Sequence, residues 1–234
     1  MIFKNNDKNI AVVIGSKGGI GRSIYDHLLD KRKYDKVLGF HRNSNPAIDI
    51  SKEESIKNVV NFLIENSYRI KLFINAVGYL HDDIFSPEKK IDDINEEYIK
   101  KSFAINAISS AFLIKHFCTK VFTKEKSLFV SLSARVGSIS DNYLGGWYSY
   151  RASKAALNQI IKTASIEFKR KKSNIIFLAL HPGTVDTKLS KPFSNKKKLF
   201  STTYAAEKIL TTLEKIDIND SGKLIDYDGN TISY

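Results

Sequence analysis

The chain has 234 residues, of which 42% are apolar and 26% charged, a composition typical of one globular domain with a sizeable core. These values exclude a disordered chain, and the single cysteine, Cys118, excludes an internal disulfide and a multi-cysteine metal site. The net charge of +12 comes mainly from scattered lysines. Such a pattern indicates a solvated surface, whereas nucleic-acid interfaces usually combine arginines with aromatic side chains.

Strand-like apolar runs alternate with segments of helical periodicity along the chain, a pattern typical of a parallel sheet covered on both faces. The predicted strands cover residues 10–14, 36–40, 72–75, 128–132, 174–180 and 223–227, with a candidate edge strand at 47–50. The predicted helices cover residues 20–31, 53–66, 96–123, 147–171 and 203–216. Residues 41–46 are too few for a usual crossover helix. We predict one doubly wound Rossmann-type α/β domain over residues 1–234, with six to seven strands.

The first predicted strand leads into a glycine-rich turn, Gly15-Ser-Lys-Gly-Gly19-Ile-Gly21, where a helix begins. Gly15 suits a tight turn, Gly19 a close approach of the backbone to a pyrophosphate, and Gly21 the packing of helix on strand. The helix N-terminus offers free N–H groups and a positive dipole end to phosphate. The turn therefore predicts a dinucleotide site.

The end of the second predicted strand, Gly39-Phe-His41-Arg42, lacks the acidic residue that usually holds the ribose hydroxyls of NAD. The Arg42 guanidinium suits a 2′-phosphate, and Lys17 adds a second positive charge. The alternative is that Arg42 is an exposed loop residue without this role. We predict NADP(H) as the cofactor, with NAD(H) less favoured.

Two Tyr-x-x-x-Lys pairs occur, Tyr150/Lys154 and Tyr204/Lys208, about as many as chance gives in a chain so rich in both residues. Context favours the first pair, because it begins a long helix and follows Ser133 at the end of a strand, where ligands bind in open α/β sheets. Reduction of a carbonyl leaves an alkoxide that needs a proton, and Tyr150 can donate it. Lys154 shares its helix face and is expected to lower the pKa of that phenol.

Together these residues resemble the short-chain dehydrogenase/reductase family, over nearly the whole chain. The ordered motifs that carry the resemblance are Gly15-xxx-Gly19-Ile-Gly21, Asp49, Asn75-Ala-Val-Gly78, Asn106, Ser133, Tyr150-xxx-Lys154 and His181-Pro-Gly183-Thr-Val-Asp-Thr187. Residues 133–138, 145–153 and 221–229 are most similar to the C-factor-like group.

The resemblance implies an NAD(P)-dependent oxidoreductase whose catalytic residues are Asn106, Ser133, Tyr150 and Lys154. Ser133 would hold the substrate oxygen near Tyr150, Lys154 would also bind the nicotinamide ribose, and Asn106 would hold a water that links Lys154 to solvent. The implied cofactor contacts are Gly15, Lys17, Gly19, Ile20, Gly21, Arg42, Asp49, Ile50, Asn75, Ala76, Gly78, Tyr150, Lys154, Pro182, Gly183, Val185 and Thr187. Asp49 has an alternative role as a cap before the following helix.

The sequence departs from the family pattern between the serine and the tyrosine. Ser133 and Tyr150 are 17 positions apart, about four more than the common spacing. Either the intervening loop bulges or Ser138 is the catalytic serine; we favour Ser133, because it ends a strand. Farther along, Leu189, Phe193 and Phe200 are expected to supply an apolar cover for the substrate.

The leading hypothesis is an NADP(H)-dependent enzyme that interconverts a carbonyl and an alcohol. A nucleotide-sensing protein on the same fold, without turnover, is the alternative, and a nucleic-acid-binding module is a third. The resemblance implies a homodimer or homotetramer. We expect no metal, nucleic-acid or membrane partner, since the histidines lack ligand spacing and no apolar run reaches the roughly 20 residues of a membrane helix. The single cysteine and the polar start favour a cytoplasmic location.

Overall fold

A seven-stranded sheet forms the centre of the protein in the computed structural model, which describes residues 8–193 and 199–234. The strands are β1 (Lys8–Ile14), β2 (Lys36–Phe40), β3 (Tyr68–Asn75), β4 (Ser127–Leu132), β5 (Ile175–His181), β6 (Lys223–Asp226) and β7 (Thr231–Ile232). Their order is β2-β1-β3-β4-β5-β6-β7; β1 to β6 pair in parallel, and β7 pairs antiparallel with β6. The predicted Rossmann-type α/β fold is confirmed.

Helices cover both faces of this sheet. They are α1 (Gly19–Lys31), α2 (Glu53–Glu65), α3 (Glu96–Phe103), α4 (Ser109–Leu113), α5 (Tyr148–Arg170) and α6 (Thr202–Lys215). Successive side chains of a strand point to opposite faces, so Val12 packs in the core beneath α2 and α5 and Val13 in the core beneath α1 and α6. This alternation is why the strands read as continuous apolar runs.

The helix predicted at 96–123 is a continuous rod that ends earlier and contains two π-helical segments. Ala104–Ile108 separates α3 from α4, and Ile114–Cys118 follows α4. After the rod the chain pairs with β3: the Val121 carbonyl accepts from the Ile70 N–H, and the Thr123 N–H donates to the Ile70 carbonyl. Such π segments often occur at functional sites, and the first one contains Asn106.

The candidate edge strand at 47–50 was a wrong prediction. The N–H of Ile48 donates to the His41 carbonyl and that of Asp49 to Ser55 Oγ, so these donors bind within the loop and not to β2. The apolar pattern arises because Ile48 and Ile50 are buried in the core. As predicted, the connection between β2 and α2 holds no helix.

The seventh strand lies instead at the opposite edge, as β7. The carboxylate of Asp226 builds the preceding turn by accepting hydrogen bonds from the N–H groups of Asp228 and Asn230, at 3.0 and 2.9 Å. Gly229 has a φ of +91°, which L residues rarely adopt. None of the helices described is both long and apolar enough to cross a membrane.

Candidate active site

The turn between β1 and α1 has the close packing that its glycines predict. Gly15 adopts a φ of +82°, and a Cβ at Gly21 would collide with the Gly15 carbonyl oxygen and lie 3.0 Å from the Ala76 Cβ. The N-terminus of α1 begins at the exposed Gly18, without a side-chain cap. Because first-turn N–H groups lack intrahelical acceptors, this end of α1 suits a phosphate.

Gly19 lies against the segment that follows β5. A Cβ there would come within 2.9 Å of Thr187 Cγ2, so the glycine permits this approach. Thr187 Oγ1 is 3.1 Å from Ser190 Oγ, and Val185 is buried beside Phe200. The glycine turn and the predicted residues Val185 and Thr187 therefore border the same crevice.

The predicted adenosine contacts lie in the loop after β2. Arg42 is exposed there. Hydrogen bonds from Ser51 and the charges of Lys52 and Arg42 lower the pKa of Asp49, whose Oδ1 accepts from Ser51 Oγ at 2.6 Å. Asp49 thus holds the turn before α2 but does not cap that helix, whose N-cap residue is Lys52 without a side-chain cap. Ile50 is buried in the core.

The segment after β3 lies between the glycine turn and the predicted catalytic residues. Asn75 is buried; its Oδ1 accepts from the Val77 N–H and its Nδ2 donates to Ser110 Oγ, both at 3.2 Å. The Ala76 N–H donates to the Ile14 carbonyl at 2.9 Å. A Cβ at Gly78 would lie 3.6 Å from the Lys154 ammonium, so Gly78 borders the predicted catalytic group.

Tyr150 and Lys154 lie on the inner face of α5, 7% and 2% exposed. The Lys154 Nζ is 5.8 Å from the centre of the Tyr150 ring and donates to the Leu132 carbonyl at 2.9 Å. Burial lowers the pKa of Lys154 to about 8. Burial, with a smaller contribution from Tyr98, raises the pKa of Tyr150, opposite to the direction expected from the sequence, because desolvation disfavours the charged phenolate.

Asn106 connects the rod to the loop after β3 and to α5, which carries Tyr150 and Lys154. Its Oδ1 accepts from the Tyr79 N–H and its Nδ2 donates to the Tyr79 carbonyl, both at 2.8 Å. Its Nδ2 also lies 3.0 Å from Ser153 Oγ, beside Lys154. The π segment thus turns the Asn106 amide toward the loop after β3 and toward α5.

The two candidate serines occupy different positions. Ser133 follows β4, where its N–H donates to the Leu180 carbonyl at 2.7 Å and its Oγ donates to Asn158 Oδ1 at 2.7 Å. Ser138 Oγ accepts from the Asp141 N–H at 3.1 Å and serves the loop itself. The sequence analysis missed Asn158, although it lies four positions after Lys154 on the same face of α5.

The second Tyr-x-x-x-Lys pair lies on the surface of α6. Tyr204 is 41% exposed, and Lys208 pairs with Asp228 at 3.0 Å. The lysine lies 5.8 Å from the tyrosine ring, as in the first pair. Because both pairs have the same spacing, it is burial beside β4 that distinguishes Tyr150 and Lys154 from the exposed pair.

Aromatic rings line the approach to Tyr150. Trp147 contacts the Tyr150 ring edge-on, with centroids 6.1 Å apart, and Phe193 packs against both Trp147 and His81 at 5.3 Å. Phe193 is thus one ring removed from Tyr150, and its role in an apolar cover stays a prediction. Residues 194–198 of that segment lie outside the described residues.

Phe200 does not share the position of Phe193. Its ring packs on Tyr204 and Tyr227, and a Cβ at Gly183 would come within 2.8 Å of it. Gly183, with a φ of +83°, lets the chain turn past this ring after Pro182. The Phe200 ring thus packs between Gly183 and the rings of Tyr204 and Tyr227, and its contribution to the cover stays a prediction. Leu189 is half-buried.

A glycine turn and a buried Tyr–Lys pair, both at the carboxyl edge of one parallel sheet, define a Rossmann-type oxidoreductase. The sequence profile described as short chain dehydrogenase matches residues 9–198. The chain belongs to this short-chain dehydrogenase family, which confirms the resemblance that its motifs predicted.

Curated relatives include the 1-hydroxy-2-glutathionyl-2-methyl-3-butene dehydrogenase of Rhodococcus sp. (strain AD45), 24% identical over 232 residues, covering 95% of this chain and 98% of the relative. The C-signal protein of Myxococcus xanthus is 24% identical over 144 residues, covering 62% of this chain and 83% of the relative. This second similarity supports the relation to the C-factor-like group.

Solved structures share the fold. The carbonyl reductase Sniffer of D. melanogaster superposes with a TM-score of 0.84 at 19% identity, covering 98% of this chain and all of that one. An NADPH-bound carbonyl reductase from chicken fatty liver gives 0.84 at 21% identity, covering 99% and 96%. At such identities the likeness shows the fold alone.

Proposed function

We propose that this protein is an NADP(H)-dependent oxidoreductase that interconverts a carbonyl and an alcohol, with Tyr150 as the proton donor and acceptor. The observation that carries the proposal is the burial of Tyr150 and Lys154 side by side, next to the end of β4. A buried ammonium without a carboxylate partner is unfavourable for folding. Its retention beside a phenol is explained by chemistry at that phenol.

The residues around the crevice fit a dinucleotide. The uncapped turn from Gly18 to Gly21 suits its pyrophosphate, and a side chain at Gly21 would block the turn. Arg42 and Lys17, both exposed, would bind a 2′-phosphate, which is the basis of the NADP(H) preference. One solved structure with the same fold is described as NADPH-bound.

The remaining contacts would come from residues at the carboxyl edge of the sheet. Gly15, Ile20, Asn75, Ala76 and Gly78 would border the adenosine and phosphate side, with Asp49 and Ile50 near the adenine. Pro182, Gly183, Val185 and Thr187 would line the nicotinamide side. When bound, the reduced nicotinamide supplies the hydride that reduces the carbonyl carbon.

The chain's own residues would then handle the substrate oxygen. Ser133 Oγ, now donating to Asn158, would donate instead to that oxygen and hold it near Tyr150. The raised pKa keeps the Tyr150 phenol protonated at neutral pH, so it can donate a proton as the oxygen gains charge. With a pKa of about 8, Lys154 is mainly an ammonium at pH 7 and would stabilise the phenolate until solvent returns the proton. Asn106 would hold the water on that route.

We propose that two copies associate through the outer faces of the rod and α5. A groove between these elements is lined by apolar side chains such as Ile114, Ile160 and Phe168. Association would cover this groove. Light scattering at micromolar concentration tests it: a homodimer or homotetramer is expected, and a monomer would contradict it.

The decisive experiment compares Tyr150→Phe with its surface counterpart Tyr204→Phe on a panel of aldehydes and ketones, following NADPH oxidation. We expect the first variant to lose about 100-fold or more in kcat, as for removal of a general acid, with a much smaller change in NADPH affinity. Tyr204→Phe should match the wild type. Undiminished activity in Tyr150→Phe rejects the assigned donor. Tight NADPH binding by the wild type without turnover of any carbonyl supports the nucleotide-sensing alternative.

A further inference from the structure

The chain enters α5 through a left-handed turn. Gly145, Gly146 and Trp147 have φ values of +63°, +62° and +53°. Glycine adopts such values readily, but tryptophan does so only when its surroundings hold it. The turn lies in the long segment between Ser133 and Tyr150, and its strained conformation requires contacts from outside α5 to hold it.

Glu88, in the loop after β3, makes the contacts that hold this turn. It is 2% exposed, and its main-chain oxygen accepts from the Trp147 N–H at 2.5 Å. A Cβ at Gly146 would lie 3.3 Å from the same oxygen. The left-handed turn therefore packs against the main chain of Glu88 and is hydrogen-bonded to it.

The side chain of Glu88 binds the first turn of α5. Both carboxylate oxygens lie 3.2 Å from the Ser149 N, and Oε1 also accepts from Ser149 Oγ. The N-cap residue of α5, Trp147, makes no side-chain cap, and the first turn holds no acidic residue. A carboxylate at a helix N-terminus satisfies free N–H groups and is stabilised by the helix dipole. Glu88 thus caps α5 from a distant part of the chain.

We propose that Glu88 is a positioning residue, which fixes the left-handed turn and the first turn of α5, and with them Tyr150, against the loop after β3. Tyr150 directly follows Ser149, and its ring contacts Trp147. Loss of the carboxylate leaves Ser149 without its cap, so that one main-chain hydrogen bond alone holds the turn, and the first turn of α5 can shift and displace the phenol. The effect on turnover rests on the proposed function; the effect on Trp147 and Tyr150 does not.

Trp147 is the single tryptophan of the chain, so its fluorescence reports on the turn without cofactor or substrate. We expect Glu88→Ala to shift its emission to longer wavelength and to increase acrylamide quenching at least twofold. Glu88→Gln keeps one acceptor oxygen for Ser149 and should recover most of the wild-type signal. The control is Glu97→Ala, at an exposed glutamate on α3, which should change nothing.

Turnover supplies the second readout. We expect Glu88→Ala to lower kcat about 10- to 100-fold, with the NADPH dissociation constant within threefold of wild type and partial rescue by Glu88→Gln.

If Glu88→Ala does not fold, Glu88→Gln and Ser149→Ala take its place, each with a smaller change in the same direction. Unchanged Trp147 fluorescence in the folded variants overturns the proposal. So does a parallel loss of kcat and NADPH affinity, which indicates general unfolding. Absence of wild-type turnover counts against the proposed function, while the fluorescence still decides the role of Glu88.

Discussion

The ammonium of Lys154 donates a hydrogen bond of 2.9 Å to the main-chain oxygen of Leu132, at the carboxyl end of β4. This contact places a buried cation next to the position from which Ser133 emerges. Burial lowers the pKa of Lys154 from 10.5 to about 8, so the charged form is disfavoured in the folded protein. The site therefore reduces the stability of the fold.

Replacement of Lys154 by Met should stabilise the protein and abolish activity. At pH 7 the shift in pKa is equivalent to about 3 kcal/mol, and the lost hydrogen bond offsets about 1 kcal/mol. We expect the free energy of unfolding in urea to rise by about 1–3 kcal/mol. Lys208→Met, in the exposed pair, is the matched control and should leave activity intact.

The pH dependence of that difference has a definite sign. Between about pH 8 and 10.5 the unfolded state binds more protons at Lys154 than the folded state, so wild-type stability gains from rising pH. The advantage of Lys154→Met should be greatest below pH 8 and shrink toward pH 10.5. An advantage that stays constant over this range would contradict the burial of a charged lysine.

Substitution of Ser133 and of Ser138 should have different effects on kcat/KM. Ser133→Ala removes the hydroxyl that follows β4 and should lower kcat/KM about 100-fold or more, as for loss of an oxyanion hydrogen bond. Ser138→Ala removes a loop hydrogen bond to Asp141 and should change kcat/KM less than fivefold. The reverse order would assign catalysis to Ser138.

Cofactor selection should depend on Arg42. Arg42→Ala should weaken NADPH binding about 10- to 100-fold and leave NADH binding within threefold, measured by titration of nucleotide fluorescence, because the guanidinium would contact only the 2′-phosphate. Arg170→Ala, at the distant end of α5, is the control. Equal weakening for both nucleotides would reject a 2′-phosphate contact.

Phe193 should affect apolar substrates selectively. Its ring packs on Trp147 beside Tyr150, so Phe193→Ala removes an apolar wall. We expect KM for an aromatic aldehyde to rise about 10-fold or more, and KM for a small aliphatic aldehyde to change less than threefold. A uniform change for both aldehydes would place Phe193 outside the substrate site.

The elements of the fold were largely predictable because burial on both faces leaves a local pattern. Five of the strands begin and end within two residues of their predicted bounds, whereas β3 starts four residues earlier, at Tyr68. The strand predicted at 47–50 was wrong because burial of Ile48 and Ile50 in the core gives a loop the same apolar pattern as a short strand. The two-residue strand β7 is too short to leave any periodic signal.

The order of the motifs determined the family, since the glycine turn, the serine and the Tyr-x-x-x-Lys pair follow one another in the sequence. Two identical Tyr-x-x-x-Lys spacings, however, differ only in their surroundings: α5 packs against β5 and the segment after β4 and buries Tyr150 and Lys154, while α6 leaves Tyr204 exposed. Desolvation, which sets the pKa of both buried groups, depends on atoms distant in the chain. For the same reason the contact of Glu88 with Ser149, 61 positions away, became visible only in the tertiary structure.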